Sequence, residues 1–190
     1  MNKNLIVLMT VLAAAPAMQA CAPLVVGAAA GTALMANDRR TTGTQIDDQN
    51  IELKISARLK EQFGDKAHID PVSFNRALLL AGEVANEQIK QEAERIARTV
   101  PSVSKIYNEL VIGPATTLGE RATDAGISTK VKANLIGNNQ INANQIKVTT
   151  EGGVVYLMGI VTHFEAKAAA DTTAGVSGVK KVVTLFEYLD

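Results

Sequence analysis

One cysteine, no tryptophan and only 4% aromatic residues occur in these 190 residues. A lone thiol excludes an internal disulfide framework and any multi-cysteine metal centre. The shortage of aromatic rings argues against a stacking platform for bases or sugars. Neither sign of charge is in surplus, with 19 Lys+Arg against 19 Asp+Glu. A bulk nucleic-acid binder carries a basic excess, so nucleic acid is not an expected partner. Histidine occurs only twice, as His68 and His163. Neither has a Cys, Asp or His at metal-ligand spacing, so both read as solvent-exposed or lightly packed, and no metal or cofactor is expected.

What is present begins with the leader. Lys3 precedes residues 5–15, "LIVLMTVLAAA", a charge-free run of signal-peptide length and too short to span a bilayer. Met18, Gln19 and Ala20 then lead into Cys21. This resembles a bacterial lipobox, with Met18 where Leu usually stands; an ordinary cleaved leader is the alternative. The resemblance implies that residues 1–20 are removed and that Cys21 is acylated. Each buried methylene contributes about 0.8 kcal/mol, so more than one chain gives stable attachment. Ala22 follows the cysteine, where an Asp would imply retention at the inner membrane. By that likeness the body lies in the periplasm, anchored to the outer membrane. Residues 21–46 form the acylated N-terminus and tether. Within them, Gly27 and Gly31 make a G-x-x-x-G spacing that packs helices in membranes, but the stretch is too short to span, and a small-residue tether is the preferred reading.

The rest of the chain is written twice. Ile51, Lys54, Ile55, Ala57 and Leu59 align with Ile127, Lys130, Val131, Ala133 and Leu135. Leu80, Gly82 and Val84 align with Leu157, Gly159 and Val161, and Val100 and Val103 with Val176 and Val179. The offset stays at 76 to 77 residues across all three blocks, which marks a tandem duplication.

Each copy predicts the same elements. Apolar residues at i, i+4 and i+8 give a first helix, with Asp48 and Asp124 placed as its N-caps. An alternating pair of strands follows, turning at Asn75-Arg76 in the first copy and at Gly152-Gly153 in the second. Pro71 takes the place of Val148, which predicts an edge strand. A second helix and a closing strand complete an α+β unit of order αββαβ, a three-stranded mixed sheet covered by two helices. With the Gly in the second strand and the Val-x-x-Val turn, this unit resembles the BON domain of bacterial envelope and osmotic-stress proteins. The resemblance spans residues 47–112 and 123–190, joined by a linker at 113–122 that opens on the breaker Gly113-Pro114. The lipobox, the segment at 38–48 and two modules in this order resemble dual-BON outer-membrane lipoproteins. That likeness implies a non-enzymatic protein that binds anionic phospholipid through its second module and supports envelope integrity. Modules of this size bury little surface alone, so the two are expected to pack together.

The duplication also locates a candidate contact. Residues 125–150 contain no Asp or Glu but carry Lys130, Lys132 and Lys147. The matching residues 49–74 carry Glu52, Glu61, Asp65 and Asp70. An anionic surface of the phosphatidylglycerol type attracts the first pattern. On the helix holding Ile127, Val131 and Leu135 inward, the opposite face carries Gly126, Thr129, Ala133, Ile136 and Gly137, flanked by Lys130 and Lys132. Relatives can carry an aromatic at the position of Gly126, which offers no such wedge. The alternative is a periplasmic scaffold for an outer-membrane assembly or division partner. Catalysis is not expected. Asp47-Asp48 reads as a cap, Ser128 and Lys130 point apart on their helix, and Gly152-Gly153 is a turn with no helix start behind it.

Overall fold

The structure, a computed structural model, describes residues 38–189. The leader, the Cys21 attachment point and the small-residue tether lie outside the described residues. Both repeats fold in the expected order. The first comprises α1 (Thr42–Phe63), β1 (Ala67–Phe74), β2 (Ala77–Val84), α2 (Glu87–Arg98), β3 (Lys105–Asn108) and β4 (Val111–Ile112). The second comprises α3 (Leu118–Gly137), β5 (Ile146–Glu151), β6 (Val154–Val161), α4 (His163–Ala174) and β7 (Lys181–Tyr188).

The first helix of each repeat starts earlier than its apolar pattern. Thr41 caps α1 by accepting from Thr44 N–H. Thr117 caps α3 in a reciprocal box with Glu120. Thr-x-x-Glu supplies both groups that such a box needs, so α3 begins at Leu118, inside the stretch read as linker. Asp48 and Asp124 are therefore not N-caps. They sit inside their helices, 3% and 6% exposed, and cap something else. Asp48 accepts from the N–H groups of Asn75 and Arg76 and from Ser73 Oγ. Asp124 accepts from the N–H groups of Gly152 and Gly153. Both thus hold a hairpin turn whose two central residues have positive φ, a geometry that leaves those N–H groups pointing out of the ladder.

Each sheet is mixed. β1 pairs antiparallel with β2, and β2 runs parallel to β3 and β4. β5, β6 and β7 repeat the pattern. The closing strand of the first repeat is interrupted at Glu109-Leu110, where Leu110 turns into the core and its carbonyl accepts from Lys90 Nζ. β1 is an edge strand, as Pro71 requires. The central strands read as unbroken apolar runs because both their faces are buried. Leu78, Leu80 and Val84 face α1 and α2, while Leu79 and Ala81 face the other way. Val155, Leu157 and Val161 face α3 and α4, while Tyr156, Met158 and Ile160 face outward from that layer. The two outward faces meet, with Val72 and Phe74, in a third apolar cluster. The modules are therefore joined sheet to sheet, with helices on the two outer sides.

Candidate membrane-contact site

α3 buries Ile127, Val131 and Leu135 at 4%, 0% and 1% exposure. That stripe fixes what points away. Gly126, Thr129, Lys130, Lys132, Ala133, Ile136 and Gly137 are all exposed. Ile136 is 72% exposed, and Leu118 at the other end of the same helix is 82% exposed. Leu118 falls in the stretch that the sequence reads as linker, and the Thr117-x-x-Glu120 box is the signal that places it on the helix. Thr129 donates its hydroxyl to Ala125 O, 2.9 Å away, which satisfies its polar group along the helix. Gly126 and Gly137 have open space where a Cβ would project. The outward face of α3 is thus a shallow strip of small residues with a bulky apolar residue near each end.

Lys130 and Lys132 form no ion pair among the described residues. Lys132 borders a cleft of about 320 Å³ that Arg40, Asp48, Glu52 and Lys147 also line. Lys147 does not belong to the outward face. Its ammonium pairs with the Glu52 carboxylate and donates to Ser73 O at 3.1 Å. That contact ties β5 to the first repeat. Asp70 also faces the seam, and burial pushes its carboxyl above the usual range, helped by Glu52 and opposed by His68 and Lys147. Part of the charge asymmetry read along the chain is therefore seam architecture. α1 exposes Lys54, Lys60 and Glu61 around Leu53, which is 70% exposed.

The segment entering α1 lies close to the far end of α3. Arg39 and Ile136 line one cleft. Arg39 donates to Ile160 O at 2.7 Å and makes a bidentate pair with Glu165 at 2.9 and 3.0 Å. The Arg39 hydrogen bonds hold the Glu165 carboxyl down at about 2, against its desolvation, with Thr162 N–H and Oγ1 adding to the pull. Arg40 bonds Asp38 and Asp48 and lies 4.0 Å over the Phe74 ring.

His163 is exposed, as expected, and His68 is half-buried. His163 stacks on Tyr188 with ring centres 4.1 Å apart. His68 is half-buried in the seam, its Nε2 3.6 Å from a Glu151 carboxylate oxygen and facing Glu83 across the β1–β2 ladder. Burial, and then the charges of Asp70, Glu83 and Asp124, push the Glu151 carboxyl up to about 7 against the pull of Arg121. Ser128 donates to Thr150 Oγ1 at 2.8 Å rather than meeting Lys130, so these two form no nucleophile–base pair.

Set against known proteins, residues 47–114 and 123–190 each match the BON domain. The chain is 39% identical over 175 residues to the outer membrane lipoprotein DolP of Haemophilus influenzae, covering 91% of each chain. It is 33% identical to the 21 kDa hemolysin of Actinobacillus pleuropneumoniae, over 80% of this chain and 79% of that one. With the osmotically-inducible protein Y of Escherichia coli it shares 27% identity, over 74% of this chain and 72% of that protein.

Proposed function

This chain belongs to the BON domain family, with two copies in tandem, and from that premise we propose a non-enzymatic outer-membrane lipoprotein, anchored through Cys21, whose second module binds anionic phospholipid and supports envelope integrity. The anchor is supported by the lipobox-like residues 18–21 and by likeness over 91% of the chain to a protein named as an outer-membrane lipoprotein.

One observation carries the lipid reading: the outward strip of α3. Shallow small residues between Leu118 and Ile136 let the helix lie close against headgroups, while the two bulky apolar ends enter the interface. Lys130 and Lys132 flank the strip with ammonium groups free to meet phosphates. Each basic residue near an anionic surface contributes about 1 kcal/mol, so two lysines make a weak site alone. The tether changes that arithmetic. Cys21 stands 17 positions before Asp38 (38 minus 21). Such a length spans at most about 60 Å, so an anchored body stays within reach of the bilayer at high effective concentration. The anchor thus raises the occupancy of a contact that concentrated anionic vesicles also reveal without it.

The test is sedimentation with lipid vesicles of a soluble form that starts after Cys21, so that neither the apolar leader nor acylation masks the contact. Phosphatidylglycerol vesicles should carry the protein down and phosphatidylcholine vesicles should not. Lys130→Glu with Lys132→Glu should cut the bound fraction at least about tenfold. Unchanged sedimentation of the double variant sinks the site. Absence of any vesicle binding, with crosslinks from Ala133 to an envelope protein, would favour the scaffold reading instead.

A further inference from the structure

The two repeats exchange their leading segments. Arg39 and Arg40 lie two and one residues before the cap of α1, and Arg39 crosses to the second repeat, reaching Gln145 Oε1 through its N–H and Ile160 O through its guanidinium. Ala115 and Thr116 hold the same places before the cap of α3. Thr116 crosses to the first repeat, donating its N–H and hydroxyl to Glu83 at 3.0 and 3.1 Å. The ladder positions confirm the exchange. His68 pairs with Glu83 on β1–β2, and these residues stand 77 positions before Gln145 and Ile160. Phe74, under the Arg40 guanidinium, stands 77 positions before Glu151.

One end of the seam therefore receives two guanidinium groups, and the other receives none from its leading segment. At that second end the polar groups are of the opposite kind. One ligand atom each from His68, Glu83 and Glu151 lies within 4.8 Å of the other two, and all three side chains are half-buried. Asp70 lies next but one to His68 on β1, facing the same seam. Around Glu151, His68 lies 3.6 Å away and Arg121 pulls against the charges of Asp70, Glu83 and Asp124, while Lys180 spends its ammonium on Gly152 O at the neighbouring turn. The seam end has a deficit of positive charge where its counterpart is neutralised by arginine.

We propose that His68, Glu83 and Glu151 bind one divalent cation of the zinc class, linking the first module to the second. An imidazole nitrogen with two carboxylate oxygens suits zinc, whereas magnesium prefers oxygen alone. Tetrahedral zinc needs donor atoms about 3.3 Å apart, so the widest of these gaps must close by up to about 1.5 Å. Glu83 commits one oxygen to Thr116 and keeps the other for the ion. That Thr116 contact orients the carboxylate from outside, as metal-site carboxylates require. Two ligands come from the first repeat and one from the second, so binding would oppose separation of the sheets.

The experiment uses the untagged full chain in detergent, stripped with a chelator and titrated with zinc chloride in a calorimeter. One saturating equivalent is expected. His68→Ala and Glu151→Gln should each weaken it at least about tenfold, with circular dichroism reporting that both remain folded. Cobalt loading supplies a second readout, since visible ligand-field bands should form in the parent and fade in both variants. No saturable zinc binding would overturn the site. So would zinc binding indifferent to both substitutions, or magnesium bound equally well, which would mark nonspecific attraction to acidic groups. Vesicle sedimentation does not enter these readouts, so the site stands or falls apart from the membrane reading.

Discussion

At the scale of single residues, two glycines do one job by different means. An added Cβ on Gly82 would lie 2.2 Å from His68 O, and on Gly159 it would lie 2.4 Å from Gln145 O. Both contacts are with backbone, of β1 at His68 and of the turn entering β5 at Gln145, which cannot swing aside as a side chain can. Gly82 also has a φ of +117°, a conformation that an L side chain resists. Gly82→Ala should therefore destabilise by about 3 kcal/mol, and Gly159→Ala by less, since it suffers the clash without the backbone strain. Urea unfolding of the two variants checks the order; equal losses would show that crowding alone matters. The pairing of these glycines was legible in the repeat, but their reason was not, because a close approach of two strands leaves no trace in the residues beyond the glycine itself.

At the scale of elements, the buried aspartates show where reading by local signal misleads. Asp48 and Asp124 precede an apolar helical stripe, which is where a cap belongs, yet Thr41 and Thr117 take that role. The aspartates instead bridge helix to hairpin, a contact 27 to 29 residues along the chain that no local window contains. Removing such an acceptor leaves two turn N–H groups short of a partner in a half-buried place. Asp124→Ala should cost about 3 kcal/mol, since hydrogen bonds to a charged group contribute about 1.5–3 kcal/mol each and some water will enter. Hydrogen exchange should localise the loss, with protection falling first at Gly152 and Gly153. Loss spread evenly over α3 and no faster at the turn would return the aspartate to a helix-capping role. The same reasoning explains what the charge pattern hid: Glu52, Asp70 and Lys147 were countable in sequence, but their meeting in the seam depends on the sheets packing face to face. The outward strip of α3 was legible because helical spacing alone decides which residues oppose Ile127, Val131 and Leu135.

At the scale of the whole molecule, the seam makes one body of two repeats, and the segment at 38–40 fastens it from outside. Arg39 belongs to the approach to the first repeat but spends its hydrogen bonds on the second. Its hold on Glu165 gives that clasp a signature in acid. The Glu165 carboxyl titrates at about 2 when folded, against an ordinary 4.5. An unfolded chain thus binds this proton more readily than the folded one as pH falls. The stabilisation is complete above about pH 4.5 and drains away between there and about pH 2. Arg39→Ala removes the cause, so the variant should be less stable than the parent near pH 7 and approach it near pH 2. Urea midpoints measured across that range would show the two curves converging toward low pH. Because the apolar cluster between the sheets is shared, both repeats should lose structure in one transition throughout. Curves that stay parallel from pH 7 to pH 2 would mean that Arg39 stabilises the seam by packing and its bond to Ile160 O, and that its ion pair with the second repeat contributes nothing to holding the halves together.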